Sequence, residues 1–219
     1  MTSSQESTSL PNAPRRRVGK PEVRRYFADV RDRISAEDVA TRSRRIHNHL
    51  LSHPVIRSAN VIHSYWPRME QNEVDTRSII DALVSKGREV VLPVVQSFDL
   101  GSPEMVHRQF SGREALTLNR WGLLEPADGP EIDPARIDVV LAPALGAGFT
   151  GHRVGYGGGY YDAFLRGLDA TTFVLTYDDC FLPNVPHDPH DVPASHVVTE
   201  RGVFDATAPQ CEPAHDPGP

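Results

Sequence analysis

Val23, Phe27, Val30 and Ile34 follow one another at intervals of three and four. That is the spacing of one helix face and predicts a helix over 21–34. Ser35 stands where an N-cap belongs, with Glu37 and Asp38 in the first turn, and the pattern runs helical to about His53. The pattern then shortens. Residues 59–66 read as a strand, and a helix over 77–87 is capped by Asp75 or Thr76 and stopped by Gly87. A second strand spans 88–95, its end placed by Pro93 near or beyond 92, and a third spans 105–110. The run 136–145 is apolar enough for a strand buried on both faces. A short helix over 160–167 and two strands, 171–177 and 194–200, complete the series. Strands alternating with helices predict an α/β domain whose mostly parallel or mixed sheet is covered on both faces.

Composition sets the limits of that domain. Residues 1–18 and 206–219 are rich in proline and polar residues, so disordered tails are expected around one folded body over 19–205. The 219 residues are 39% hydrophobic and 24% charged, as in ordinary soluble proteins. A net charge of −6 supplies no basic field for nucleic acid. No apolar run approaches the roughly 18 residues of a membrane span. Arg15, Arg16 and Arg17 in a Ser/Thr-rich start suit an organellar leader, but Glu6 opposes that reading, and no apolar segment suggests secretion. Two cysteines, Cys180 and Cys211, are too few for a disulfide framework and fit a reducing compartment. The expectation is a cytoplasmic protein, taken as a monomer, without nucleic-acid or membrane partners.

The chemistry concentrates in "GHRVGYGGGYYD", residues 151–162, where five of the sixteen glycines fall within nine positions. Glycines let the main chain approach a ligand, and successive exposed N–H groups make a nest for anions. The stretch follows a predicted buried strand, where ligands of open α/β sheets sit, and it precedes a helix start. With Arg153 as a bidentate donor, a polyphosphate is the natural guest, and Asp162 could hold Mg²⁺ against its oxygens. A ligand-free turn is the plainer alternative, although turns seldom use four glycines in the five positions 155–159. Other motifs fail. GxxxxGK[ST] is absent. The GxGxxG at 146–151 is followed by "HRVGYGGG", which cannot open the helix that a dinucleotide site needs. His187, His190 and His196 around Asp191 invite zinc, but no cysteine supports it, and Pro186, Pro189 and Pro193 break the stretch.

The glycine stretch resembles the signature of the 5-formyltetrahydrofolate cyclo-ligase family, also called methenyltetrahydrofolate synthetase, approximately G-x-R-[LV]-G-x-G-x-G-Y-Y-D. "KPEVRR" with Lys20 and Arg24, "NEVDT" at 72–76, "VVLPVV", "WGLLEP" and "HDVPASHVVTE" are similar to further segments of that family in the same order, so the resemblance covers about 20–203. It implies a three-layer α/β/α sandwich related to CoA-transferase and isomerase folds. It also implies a ligase of folate one-carbon metabolism that uses ATP as co-substrate and Mg²⁺ as cofactor. Lys20, Arg24, Arg153, Val154, Gly155, Tyr156, Gly157, Gly158, Gly159, Tyr160 and Tyr161 would meet ATP, with Arg153 and Tyr160 closest to the chemistry. Tyr65, Trp66, Glu73 and Tyr160 would meet the folate, and Asp162 and Asp191 the metal. By themselves, Lys20 and Arg24 also fit a solvated helix face, Tyr65, Trp66, Tyr160 and Tyr161 the core, and Glu73 a surface loop. The chain departs from the family at Ala147, Gly148 and Ser195, where Phe, Asp and Asp are usual, and Tyr156 and Gly158 leave the loop without a cation. Two rivals follow: a binding relative without turnover, and a phosphosugar isomerase or CoA-transferase-like enzyme on a related fold.

Overall fold

Val139, Val140, Leu141 and Ala142 are completely buried, and alternate members of the run face opposite layers of core. They belong to the central strand of the computed structural model, which describes residues 18–97 and 103–207. The expected tails fall almost wholly outside the described residues. Helices run over Lys20–Asp32 (α1), Ala36–Ser52 (α2), Pro54–Ser58 (α3), Arg77–Ser85 (α4) and Tyr160–Leu165 (α5). Strands are Val61–His63 (β1), Glu89–Ser97 (β2), Glu104–Gln109 (β3), Leu116–Leu118 (β4), Leu124–Pro126 (β5) and Val139–Pro143 (β6). They continue with Gly146–Gly148 (β7), Arg153–Val154 (β8), Thr171–Leu175 (β9), Phe181–Leu182 (β10), His196–Thr199 (β11) and Gly202–Asp205 (β12).

The main sheet has the order β12-β11-β9-β6-β1-β2-β3. Its five inner strands are parallel, and β12 and β3 pair antiparallel at its two edges. Helices α2, α3 and α4 bury Val39, Ile46, Leu50, Ile56, Ile79, Ile80 and Leu83 on one face, against Ile62, Val90, Leu141 and Phe173. The other face, with Val61, Val91, Val140 and Val174, is covered by Leu165, Tyr161 and Phe164 of α5. Three layers result, as expected, and Ser35 caps α2 by accepting from the Asp38 N–H. The first strand is shorter than its apolar run: β1 ends at His63, and Tyr65 and Trp66 lie in the following loop.

Pro93 does not end β2. Phe110 N–H bonds to the Val90 carbonyl, so odd positions of β2 turn their polar groups away from β3 and toward β1. There β1 has already stopped opposite Val91, and the missing proline N–H breaks no ladder bond.

Helix α1 lies apart from these layers. It packs Val23 and Phe27 on Leu145, Val154, Cys180 and Val185, over a small sheet of order β10-β7-β8. Gly146 admits the contact, since a Cβ there would come within 2.4 Å of the Phe27 ring. Gly146 is therefore a strand residue at a close helix approach and Gly148 one against the Val185 loop, and no dinucleotide turn is formed.

Candidate active site

Lys20, Arg24, Phe27 and Arg31 form one stripe of α1, and each reaches a different part of one region. Lys20 Nζ pairs with Asp188 at 2.6 Å and Asp191 at 2.5 Å. Burial works against its charge, yet the two carboxylates outweigh burial and hold the ammonium above its ordinary pKa. Arg24 Nε donates to the Gly155 carbonyl at 2.8 Å. Arg31 Nε and Nη1 donate to the carbonyls of Asn72 and Ala144, both at 3.2 Å. Asn72 returns the contact. Its side chain caps the C-terminal end of α1 by donating to the Arg31 and Ile34 carbonyls, from a left-handed backbone at φ 47°.

The glycine stretch divides into two parts. Arg153 and Val154 belong to buried strand β8 rather than to an open loop. Arg153 donates to the Val192 carbonyl and to Asp162 Oδ1, both at 2.7 Å, and the same oxygen accepts from Val192 N–H at 3.1 Å. The two residues nominated for phosphate and metal thus hold each other across the loop base. Residues 155–159 are the open part: Tyr156, Gly157 and Gly159 are exposed, and Gly155 has free space where a Cβ would project. Gly157 at φ 101° and Gly159 at φ 74° occupy backbone conformations that favour glycine. Helix α5 has six residues and no side-chain cap, so its dipole adds little. Tyr160 donates to the Ser97 carbonyl. Burial pushes the Tyr161 phenol upward, and its hydroxyl has no partner among the described residues.

Glu73 is only 4% exposed. Its Oε1 accepts from the Tyr156 hydroxyl at 2.7 Å, and its Oε2 from the Arg68 backbone N–H at 2.8 Å. Burial raises its pKa, and these two hydrogen bonds and the charges of Arg31 and Arg68 oppose the rise. Arg68 also lies over the Tyr156 ring, 5.3 Å from its centroid. Of the two aromatics nominated for the folate, Tyr65 is a core residue. It is 5% exposed and its hydroxyl bonds to the Val74 carbonyl, so it underlies the Glu73 loop instead of walling a ligand. Trp66 is half-buried, stacked on Phe110 with Arg113 over its ring.

Asp191 gathers with Asp188 and His190 so that one ligand atom of each lies within 4.8 Å of the others. His187 is elsewhere, stacked on His152 at 3.8 Å, so the H-x-x-H pair makes no site. Two carboxylates with one exposed imidazole fit a hard divalent cation shared with phosphate oxygens better than zinc. Lys20 and the Asp188 N–H hold Asp191 below its ordinary pKa against the effect of burial. Asp162 is not part of that cluster. Ser195 lies outside the site and accepts from the Thr172 N–H at the start of β9. Gly148 is packed closely, since a Cβ would meet Val185 at 3.1 Å, so an aspartate there would displace the closing loop. Cys180 is buried under α1 with its thiol pushed up to about 12, which leaves it unreactive.

A model of the "5-formyltetrahydrofolate cyclo-ligase family" matches residues 16–200. The chain belongs to that family. As a member it is 34% identical over 137 residues to the 5-formyltetrahydrofolate cyclo-ligase of Mycolicibacterium smegmatis, a match covering 60% of this chain and 71% of the relative. It is 32% identical over 138 residues to the Escherichia coli enzyme of the same name, covering 61% and 75%. In three dimensions it is similar to the 5,10-methenyltetrahydrofolate synthetase of Aquifex aeolicus, with a TM-score of 0.76 and 24% identity over 90% of this chain and 97% of that one. A synthetase from Mycoplasma pneumoniae aligns with a TM-score of 0.68 and 20% identity, covering 84% and 99%. These two likenesses establish the cyclo-ligase fold for this family member.

Sequence reasoning missed Arg31, Asp188 and the pairing of Tyr156 with Glu73. Arg31 carried a signal, because it falls four residues after Phe27 on the stripe of Lys20 and Arg24. Asp188 and the Tyr156 pairing carried none, since both depend on how distant loops meet.

Proposed function

We propose that the chain converts 5-formyltetrahydrofolate to 5,10-methenyltetrahydrofolate with cleavage of ATP to ADP and phosphate. Family membership supports the reaction class. One observation carries the site: the open loop 155–159 is bonded to Arg24 through Gly155 and to Glu73 through Tyr156, so phosphate-binding and heterocycle-binding groups meet there.

The formyl oxygen attacks the γ-phosphorus, ADP leaves, and the oxygen becomes part of a good leaving group. N10 then attacks the formyl carbon, the C–O bond breaks to release phosphate, and the N10 proton is lost. Both nucleophiles are substrate atoms, so no catalytic serine, cysteine or histidine is needed. The protein orients two substrates and stabilises the transferring charge. Lys20 and Arg24 supply cationic charge beside the loop, Arg153 fixes its base, and Glu73 accepts from ring N–H groups of the pterin. Trp66 and Tyr160 offer aromatic surface for the flat heterocycle. Asp191 and Asp188 would hold Mg²⁺, with Asp162, outside their cluster, reaching it through water, and the ion's charge would offset that of the phosphate oxygens.

Mixing the protein with 5-formyltetrahydrofolate, ATP and Mg²⁺ is expected to raise the near-ultraviolet absorbance of the methenyl product, and omission of either ATP or Mg²⁺ to abolish the rise. Asp162→Asn keeps an oxygen for Arg153 and Val192 and should stay folded while losing at least about a hundredfold in turnover. ATP binding without any absorbance rise would make the chain a binding protein instead.

A further inference from the structure

Arg31 is 2% exposed. Its Nε and Nη1 hold backbone carbonyls, whereas Nη2 is buried with no hydrogen-bond partner among the described residues. A buried guanidinium N–H without an acceptor is costly, so a state in which one arrives is favoured. The guanidinium is close enough to act on Glu73, Tyr156 and Tyr65. The Tyr156 hydroxyl meanwhile sits on Glu73 Oε1 at 2.7 Å, although Tyr156 itself is 40% exposed and is carried between Gly155 and Gly157. The Tyr156 hydroxyl thus stands between the two groups, donating to the carboxylate as a ligand's N–H would and lying within reach of Arg31, where a ligand's acceptor would go.

We propose that Arg31 Nη2 and Glu73 together read one edge of the heterocycle, and that Tyr156 occupies that edge until the ligand displaces it. This rests on the folate reading and adds to it a specificity-determining residue and an occluding one. A cyclic amide edge presents N–H to the carboxylate and a carbonyl oxygen to the guanidinium. A 2-amino-4-oxo-pteridine has both. A 2,4-diaminopteridine keeps only its 2-amino donor for Glu73, lacks the ring N–H beside it, and turns an amine toward Arg31, donor against donor.

The test compares the two reduced pteridines, with 4-oxo or 4-amino, by calorimetric titration. The wild-type chain is expected to prefer the 4-oxo probe by roughly 10- to 100-fold, the worth of a charge-assisted hydrogen bond. Arg31→Met should shrink that ratio at least about threefold, leaving the part due to the ring N–H lost at Glu73, and Tyr156→Phe should tighten the 4-oxo probe about fivefold by freeing Glu73. Equal binding of the two probes by the wild-type chain overturns the proposal. So does a preference undiminished in folded Arg31→Met, which would leave Arg31 only a pin between α1 and the Asn72 loop. Unchanged or weaker binding in Tyr156→Phe removes the occluding role. If Arg31→Met does not fold, the wild-type preference and the Tyr156→Phe result decide. Turnover of 5-formyltetrahydrofolate without discrimination sinks this inference alone, whereas absence of both turnover and pteridine binding sinks the folate reading with it.

Discussion

Gly155 and Gly157 differ in what a methyl group would meet. At Gly157 the backbone φ is 101°, and an added Cβ would lie 3.4 Å from the Arg24 guanidinium. Gly157→Ala is therefore expected to cost about 1–2 kcal/mol of stability. At Gly155 nothing lies within 4 Å and the backbone needs no glycine. Gly155→Ala should change stability by less than about 1 kcal/mol. If that space holds the nucleotide, the same variant raises KM for ATP at least about tenfold, the effect of losing one close main-chain contact. Thermal unfolding and steady-state kinetics on the pair separate the two effects, and an unchanged KM in Gly155→Ala would remove the loop from nucleotide binding. Residues also explain two departures from the family pattern. Ser195 serves the start of β9, and Gly148 lets Val185 close in, so both substitutions bear on packing away from Lys20, Arg24 and Glu73.

Where β1, β3 and α5 meet, two buried histidines lie edge to face, 5.1 Å apart, under Phe164 and Tyr161. Both ring nitrogens of His63 and Nδ1 of His107 lack partners among the described residues. Burial lowers both pKa values, that of His107 to about 4 and that of His63 well below 6.5, so the native state holds both neutral. As pH falls, the unfolded chain takes up protons first. The stabilisation is complete above about pH 6.5 and is lost as pH falls toward 4, by roughly 3 kcal/mol for His107. Urea titrations from pH 7.5 to 4 should show that loss, and His107→Leu should flatten it at little cost near neutrality. A slope identical in the variant would assign the acid limb to other groups. Because α5 carries Asp162 and Tyr160, this contact also ties the loop to the sheet.

Across the whole molecule, α1 is the part that joins the two halves of the candidate site. Its Lys20 and Arg24 face the loops that would carry phosphate, its Arg31 borders Glu73, and a fully buried Phe27 seats it on the small sheet. Phe27→Ala is expected to cost about 3–5 kcal/mol and to raise KM for both substrates, although Phe27 itself is not expected to touch either. Calorimetry and kinetics check this, and Phe27→Leu should recover most of both. The main sheet was legible because alternating apolar runs long enough to be buried can hardly do otherwise. The six predicted strands all join it. Strand β12 escaped notice because it is a short edge with Phe204 38% exposed, and β7, β8 and β10 because two or three residues show no period. Sequence alone also determined which stretch has a bare main chain, and that a stripe of cations starts near Lys20, since composition and spacing are local properties. Only the tertiary structure decided that Arg153 would be occupied by Asp162, that Tyr65 would be core, and that Arg31 would be buried beside Glu73 under Tyr156. Those outcomes depend on which distant segments share a low-dielectric space, and the positions of residues along a chain do not contain that information.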